Sequence, residues 1–263
     1  MAPPRPLPVR LARALSCALL ASCCALPARA AHVLVDVGHA PERPGATGAN
    51  GRPEYLYNRE LGAALARALA ALGERTTRAE GGGTGIPLAQ RAAVAPDADL
   101  FVSIHHDSIQ ARYIAAGRQR EFAGYSIFVS RRNPRYADSL RCARAIGEAL
   151  RAAGERPSGY HAEPVEGENR PFVDARLGIH RYDGLAVLRT APMPAVLVEA
   201  GVIVNPDEAA RLALPRTIER LARAIAQGAH ACLARDGPAA AAAAGVMPAV
   251  ARACRVAQKM HAP

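Results

Sequence analysis

The chain has 263 residues, 50% of them hydrophobic, enough for one buried core of about 200 residues with ends to spare. The formal charge is +10 and the pI about 9.9, carried almost wholly by arginine, with Lys259 the sole lysine. Arginine and alanine richness together read as coding bias, and no basic run is interleaved with aromatic residues. A stacking surface for nucleic acid is therefore excluded, whereas a basic surface still suits an anionic polymer such as a cell wall.

Residues 1–30 read as a secretory signal peptide. Arg5, Arg10 and Arg13 form a positive start, Leu15 to Leu26 an apolar stretch, and Ala28-Arg29-Ala30 an A-x-A cleavage site. The apolar stretch is shorter than the ~20 residues of a membrane span. Cleavage after Ala30 and export, periplasmic or secreted, are expected, with no transmembrane span. A competing reading takes Leu20-Ala21-Ser22-Cys23 as a lipobox with Cys23 lipidated. Simple export is favoured because the A-x-A site directly precedes the first strand. The mature chain keeps Cys142, Cys232 and Cys254, which lack C-x-x-C spacing, so a cysteine zinc site is disfavoured. Export permits one disulfide, but Cys142 and Cys232 are read as small buried residues on helices.

Val33-Leu34-Val35 opens the fold as a buried strand. It stops at Gly38-His39, and a loop rich in Gly, Pro and Asn follows as far as Glu54. Leu61, Leu65, Ala68, Leu69 and Leu72 then recur at helical spacing over 58–72, and Gly73 ends the helix. Arg75-Thr76-Thr77-Arg78 reads as a second strand, Pro87 as a helix start, and Leu100 to Ile104 as a central strand running into His105-His106-Asp107. Further strands are read over 124–130, 185–188 and 195–198, the last ending at Glu199. Helices are read over 136–153, after Asn205 as an N-cap with Glu208 in a box-like start, and over 214–233. Between 154 and 184, Pro and Gly break every pattern, and Glu163, Glu166 and Glu168 cluster there. So long a loop is functional or mobile. Residues 237–263 are a Pro/Ala-rich low-complexity tail, which leaves 31–236 as the domain. Strands alternate with helices, so the class is α/β with a mostly parallel sheet.

Three strand ends carry residues able to hold or work on a metal: His39, His105 and Glu199. Glu54 joins them from the loop. Two histidines and a carboxylate, with a fourth position open, form the catalytic zinc arrangement of hydrolases. Zinc lowers the pKa of a bound water to about 7 and polarises a carbonyl, and a second carboxylate must then carry the proton to the leaving amine. Glu199 follows an apolar strand, where desolvation raises its affinity for a proton. Taken singly, each residue has a plainer reading: a packed histidine, a helix-start acid at Glu54, an ion-pair acid at Glu199. The shared strand-end location argues for the constellation.

In chain order, VLVDVGHA, GATGANG followed by Glu54, TTR, LAQR, ADLFVSIHHDS and PAVLVEAGVIVNPDEAARL resemble the blocks of the zinc-dependent N-acetylmuramoyl-L-alanine amidases, over about residues 32–234. The resemblance implies a single α/β domain, with a twisted, mostly parallel sheet and helices on both faces. It implies cleavage of the amide between N-acetylmuramic acid and L-alanine in peptidoglycan. It places one Zn2+ per chain on His39, Glu54 and His105 and the catalytic role on Glu199. Thr77-Arg78 and Leu88 with Arg91 match family positions read as structural or as substrate-side electrostatics. The chain departs from the family where DPGHGG becomes Asp36 to Pro41, where a small residue and Asn become His106 and Asp107, and where G-F becomes Gly201-Val202. His106 is expected to point to the opposite side of the strand from His105. Some relatives cover the site with an inserted helix, which makes the 154–184 segment a candidate target for an activator protein, with one of its glutamates on the open zinc position. The plainer reading is an acidic substrate-side loop. Two alternatives remain: a non-catalytic peptidoglycan-binding protein of the same fold, and a zinc peptidase cutting within the peptide stem.

Overall fold

The computed structural model describes residues 30–234. The expected signal peptide, the lipobox at Cys23, Cys254 and the 237–263 tail lie outside these residues. The chain enters β1 (His32–Val37), crosses the glycine-rich loop and forms α1 (Glu54–Ala71). It continues through β2 (Arg75–Ala79), a 3₁₀ turn over Leu88–Val94, and β3 (Leu100–Asp107). Next come α2 (Ala111–Ala115), β4 (Ser126–Val129) and α3 (Tyr136–Ala152). Then follow β5 (Phe172–Asp174), β6 (Ile179–Arg181) and α4 (Ala186–Arg189). The chain closes with β7 (Ala195–Val202), α5 (Pro206–Leu212) and α6 (Pro215–Ala234). Among the described residues no helix is long and apolar enough to cross a membrane.

One seven-stranded sheet runs β2-β1-β3-β7-β4-β6-β5. The pairs β1–β2, β1–β3, β3–β7 and β4–β6 are parallel, while β4–β7 and β5–β6 are antiparallel. Alternation along each strand divides its apolar residues between two faces. Val33, Val35, Val102, Ile104, Val196 and Val198 face one cluster, filled by Leu61 and Leu65 of α1, Ile146 and Leu150 of α3, and Leu221 and Ile225 of α6. Leu34, Phe101, Phe128 and Leu197 face the other, with Ala92, Val187, Leu188 and Met193. Helices thus cover both faces unequally, with the long ones on one side and short pieces on the other. The α3–α6 contact is close because α6 carries Gly228, where a Cβ would stand 2.4 Å from the Ile146 backbone.

Three expectations need correction. Residues 185–188 are not a strand: Val187 and Leu188 are buried on α4, and a short apolar run alone cannot distinguish the two. The first helix begins at Glu54, where the loop was expected to give way to the helical pattern, with Pro53 preceding its first turn. The irregular 154–184 stretch holds β5 and β6, each only three residues long. Finally, Cys142 and Cys232 are buried on helices as expected but are joined, with Cα atoms 5.1 Å apart. The Asn205 cap is present, its side chain accepting from Asp207 N and Glu208 N. Glu208 does not close the box: its Oε2 accepts from Gly124 N instead.

The disulfide links α3 to α6 across a sequence separation of 90 residues, and closing so long a loop restricts the unfolded chain strongly. Replacing both cysteines by alanine is expected to lower stability by about 2–5 kcal/mol in a urea titration, with far-ultraviolet circular dichroism of the folded state unchanged. An unshifted midpoint would mean that the bond adds no stability.

Candidate metal and catalytic site

The ends of β1 and β3 and the first turn of α1 converge. His39, just past β1, has φ 69°, a left-handed conformation that histidine enters more readily than most side chains. Buried Arg91 holds that turn. Its Nη1 donates to Asp36 Oδ1 at 2.8 Å and to the Val37 carbonyl at 2.7 Å, and its Nη2 donates to the His39 carbonyl at 3.1 Å. Arg91 is therefore a positioning group within the fold, while Arg78 pairs with Glu80.

Glu54 is buried. Its Oε2 lies 2.9 Å from His39 Nε2 and its Oε1 3.0 Å from His105 Nδ1. Ala46 N and Asn58 Nδ2 donate to the same carboxylate at 3.2 and 3.1 Å. Burial opposes its charge, but the hydrogen bonds to His105 and His39 and their charges prevail and hold its pKa well below the carboxylate range. One donor atom from each of His39, Glu54 and His105 lies within 4.8 Å of the others. Two glycines make the room. A Cβ on Gly38 would stand 2.5 Å from His105 Nε2, and one on Gly45 would stand 2.4 Å from Glu54 Oε2 and 2.7 Å from His39 Nε2. Two imidazoles and a carboxylate in a cradle cleared of side chains fit a zinc-type ion.

Glu199 is not beyond its strand, as expected, but within it, since β7 continues to Val202. The same holds for His105, and the two are register partners across β3–β7. On its other side Glu199 pairs with Ser126 of β4. Glu199 Oε2 and Ser126 Oγ are both buried without a hydrogen-bond partner. Burial, with the charges of Asp107 and Glu54, raises the Glu199 pKa well above its usual value, while His161 pulls the other way. His106 turns from the metal group towards α1, as expected. Its Nδ1 lies 2.8 Å from Asn58 Oδ1, and burial pushes its pKa down to about 3. It packs as a neutral ring.

A family model described as N-acetylmuramoyl-L-alanine amidase matches residues 33–231. This chain belongs to that family. It is 26% identical over 194 residues to the N-acetylmuramoyl-L-alanine amidase Rv3717 of Mycobacterium tuberculosis, covering 72% of this chain and 73% of that protein. The amidase Ami1 of Mycobacterium smegmatis shares the fold with a TM-score of 0.65 and 24% identity, over 78% of this chain and 98% of the other. The catalytic domain of CwlV from Bacillus (Paenibacillus) polymyxa var. colistinus gives a TM-score of 0.60 and 25% identity over the same shares.

For an amidase of this family, the unforeseen residue is His161. It lies on a 3₁₀ turn over Tyr160–Ala162, in the stretch that sequence patterning left unassigned. Its Nε2 is 2.6 Å from Asp107 Oδ2 and its Nδ1 2.8 Å from Glu168 Oε2. Burial raises the Asp107 pKa while the His161 charge pulls it down; with both carboxylates ionised, both ring nitrogens donate and the ring is an imidazolium. Burial opposes that charge, but Asp107 and Glu168 outweigh it and hold the pKa up at about 10. The one sequence signal was the acid at 107, where the family usually has asparagine. The acids of the 154–184 segment are accounted for differently from a zinc-blocking arrangement. Glu168 binds His161, and Glu163 accepts from Tyr113 Oη at 2.7 Å. Neither belongs to the His39, Glu54 and His105 group. The Glu166 carbonyl accepts from Gln110 Nε2 at 2.6 Å, and Glu166 is not in the metal group either. The segment is a wall tied to the end of β3.

Because its folded pKa lies above the ordinary 6.5, His161 contributes stability that is fully present below that value and lost as pH rises through about 10. Urea titrations of the unsubstituted protein and His161→Gln should therefore show their largest gap at pH about 6, closing towards pH about 10. A gap independent of pH would assign His161 a neutral packing role.

Proposed function

We propose that this family member is a zinc-dependent hydrolase that cleaves the amide between N-acetylmuramic acid and L-alanine in peptidoglycan. His39, Glu54 and His105 hold one zinc ion, and Glu199 carries the proton. The observation behind this reading is the pairing of a three-donor group within 4.8 Å with a separate, unpartnered buried carboxylate in register beside His105. Zinc, when bound, supplies an acidified water and a Lewis acid for the carbonyl oxygen.

The residues of the chain do the rest. Arg91 fixes the His39 turn through its carbonyl. Asn58 Nδ2 donates to Glu54 Oε1, orienting the carboxylate from one helical turn away. Glu199 is not needed to complete the three-donor group. Its raised pKa suits a base that accepts the proton of the attacking water and returns it to the departing L-alanine nitrogen. That return matters because an amide anion is a very poor leaving group. The signal-peptide reading of residues 1–30 fits a substrate outside the cytoplasm.

Three measurements test this. The purified protein should bind about one zinc per chain, and His105→Ala should bind much less by metal analysis; full occupancy would overturn the ligand set. Glu199→Gln keeps the shape and removes the basicity. Its turnover on purified peptidoglycan should fall by roughly 10²–10⁴-fold or more, with zinc content and unfolding midpoint near normal. Substantial activity, or loss of zinc, would remove Glu199 from this role. Product analysis of the same digests decides the bond: a new amino terminus on L-alanine is expected, and fragments cut within the stem would mark a peptidase.

A further inference from the structure

His105 on β3, Glu199 on β7 and Ser126 on β4 form one row across the sheet, each the register partner of the next. Register partners carry their side chains on the same face. Leu197 and Phe128, two residues away on β7 and β4, place this row on the face covered by the short helical pieces. Glu199 is the middle member. On one side the His105 ring belongs to the metal group, its Nδ1 3.0 Å from Glu54 Oε1. On the other side Ser126 is wholly buried. Its Oγ and Glu199 Oε2 are both enclosed, and neither has a hydrogen-bond partner. A hydroxyl donor and a carboxyl acceptor thus stand side by side in the interior. Leaving both unmade carries the desolvation cost of each, and one bond between them removes both costs. The same sheet holds a made example. Asp36 and Ser103 are also register partners, also wholly buried, and Ser103 Oγ donates to Asp36 Oδ2 at 2.6 Å. Glutamate is one methylene longer than aspartate, and a serine hydroxyl is re-aimed by rotation about one bond. Across an antiparallel pair the Cβ atoms are about 4.5–5.5 Å apart, so the bond is within reach.

The charged groups around Glu199 offer no substitute donor. Asp107, Glu54 and Glu168 are acids. His161 is cationic, but Asp107 and Glu168 take both of its ring nitrogens. Arg170 lines a cleft of about 170 Å³ together with Glu199, and Glu168 lines it too. Its guanidinium lies over the Tyr182 ring and gives Nη1 and Nη2 to the carbonyls of Glu168 and Gly167. Two other buried nitrogens on this side lack partners: Arg170 Nε, and Nε2 of His180, which is the register partner of Phe128, one row from Ser126. We infer that the Ser126 hydroxyl donates to Glu199 Oε2 and fixes the direction in which the carboxylate offers its other oxygen. Ser126 is therefore a positioning residue. In the hydrolysis proposed above, on which its kinetic consequence rests, it acts through Glu199 alone. A carboxylate held at one oxygen meets the water and the departing nitrogen with the other in a single orientation. Without that anchor its terminal torsion is broad, and each proton transfer waits for the productive angle.

The test uses the zinc-loaded full chain and three substitutions: Ser126→Ala, Ser126→Thr and Ser126→Val. Threonine and valine have the same shape and differ in the hydroxyl, so their comparison separates the hydrogen bond from packing. Infrared difference spectra report the bond without reference to activity. The carboxyl stretch of Glu199, identified as the band that Glu199→Gln removes, should shift in Ser126→Ala and Ser126→Val and stay in place in Ser126→Thr. On purified peptidoglycan, Ser126→Ala and Ser126→Val should lower kcat by roughly ten-fold or more, as loss of a hydrogen bond to a charged group implies. KM should stay within about two-fold, because the residue acts only after binding, and Ser126→Thr should recover most of kcat. Made in Glu199→Gln, Ser126→Ala should change kcat by less than about two-fold, since two residues acting as one unit are not additive. Zinc content should be near normal throughout. A stretch unmoved by loss of the hydroxyl would overturn the inference and assign the hydroxyl to His180. Equal kcat in Ser126→Val and Ser126→Thr, or a Ser126→Ala loss as large in Glu199→Gln as in the unsubstituted chain, would also overturn it. Failure of the proton-carrier reading shows instead as an active Glu199→Gln, whereas failure of this inference alone shows as an unmoved stretch with Glu199→Gln inactive.

Discussion

Taking the Glu54 carboxylate out of water carries a desolvation cost of several kcal/mol. In this fold that cost is offset by a fixed set of partners: His39 at 2.9 Å, His105 at 3.0 Å, Ala46 N and Asn58. Each comes from a different part of the chain, so the geometry of the metal group follows from the packing of β1, β3 and α1 and not from any one loop. The strand order explains why they meet. The chain leaves β1 for β2 on one side and later returns to place β3 on the other. The crevice at the carboxyl ends of two such strands is open, because their connections run away from it on opposite sides. His39 and His105 stand at that crevice.

The same crevice has a buried ionic floor. Asp36 of β1 accepts from Arg91 Nη1 and, at 2.6 Å, from Ser103 Oγ of β3. Removing one partner of a buried pair is far more damaging than the pair is stabilising. The value of this one lies in what Arg91 does with its remaining donors. By binding the carbonyls of Val37 and His39 it holds a non-glycine residue at φ 69°. Backbone strain of that kind persists only where neighbours over-determine it. Arg91, on a 3₁₀ turn on one face, and Glu54, opening a helix on the other, thus fix His39 from both sides of the sheet.

The parts of this arrangement legible in the sequence are those with local signatures. Val33 to Val35 and Leu100 to Ile104 announce buried strands by unbroken apolar runs, and the long helices by their spacing. His39, Glu54, His105 and Glu199 were identifiable because motif order ties them together. Three things left no local trace. The 185–188 run is apolar in either conformation, and only its packing against Phe101 and Leu197 makes it a helix. The strands β5 and β6 are too short to show a period, and tertiary pairing with β4 creates them. Cys142 and Cys232 each look like a small core residue, and only the close approach of α3 to α6, allowed by Gly228, makes them partners. His161 belongs with these: a single polar residue among prolines and glycines, given meaning by Asp107 and Glu168 on either side of it.

The sheet changes direction at β7, and that change divides the site. To one side β7 runs parallel with β3, putting Glu199 beside His105; to the other it runs antiparallel with β4, putting Glu199 beside Ser126. A parallel neighbour presents its carboxyl end, with the loops and donor side chains that collect there. An antiparallel neighbour presents its beginning, so the chain that reaches this rim beside Glu199 is the connection from β3 into β4, and the 154–184 segment packs on it through Gln110 and Tyr113. That segment is tied down where β3 ends: His161 to Asp107, and the Tyr160 hydroxyl to Gln110 N at 2.8 Å. Glu199 therefore stands between two compartments of different origin, one built from parallel strand ends and one from a returning loop. The proton transfer proposed for Glu199, from a water on one side to a nitrogen on the other, would use that placement.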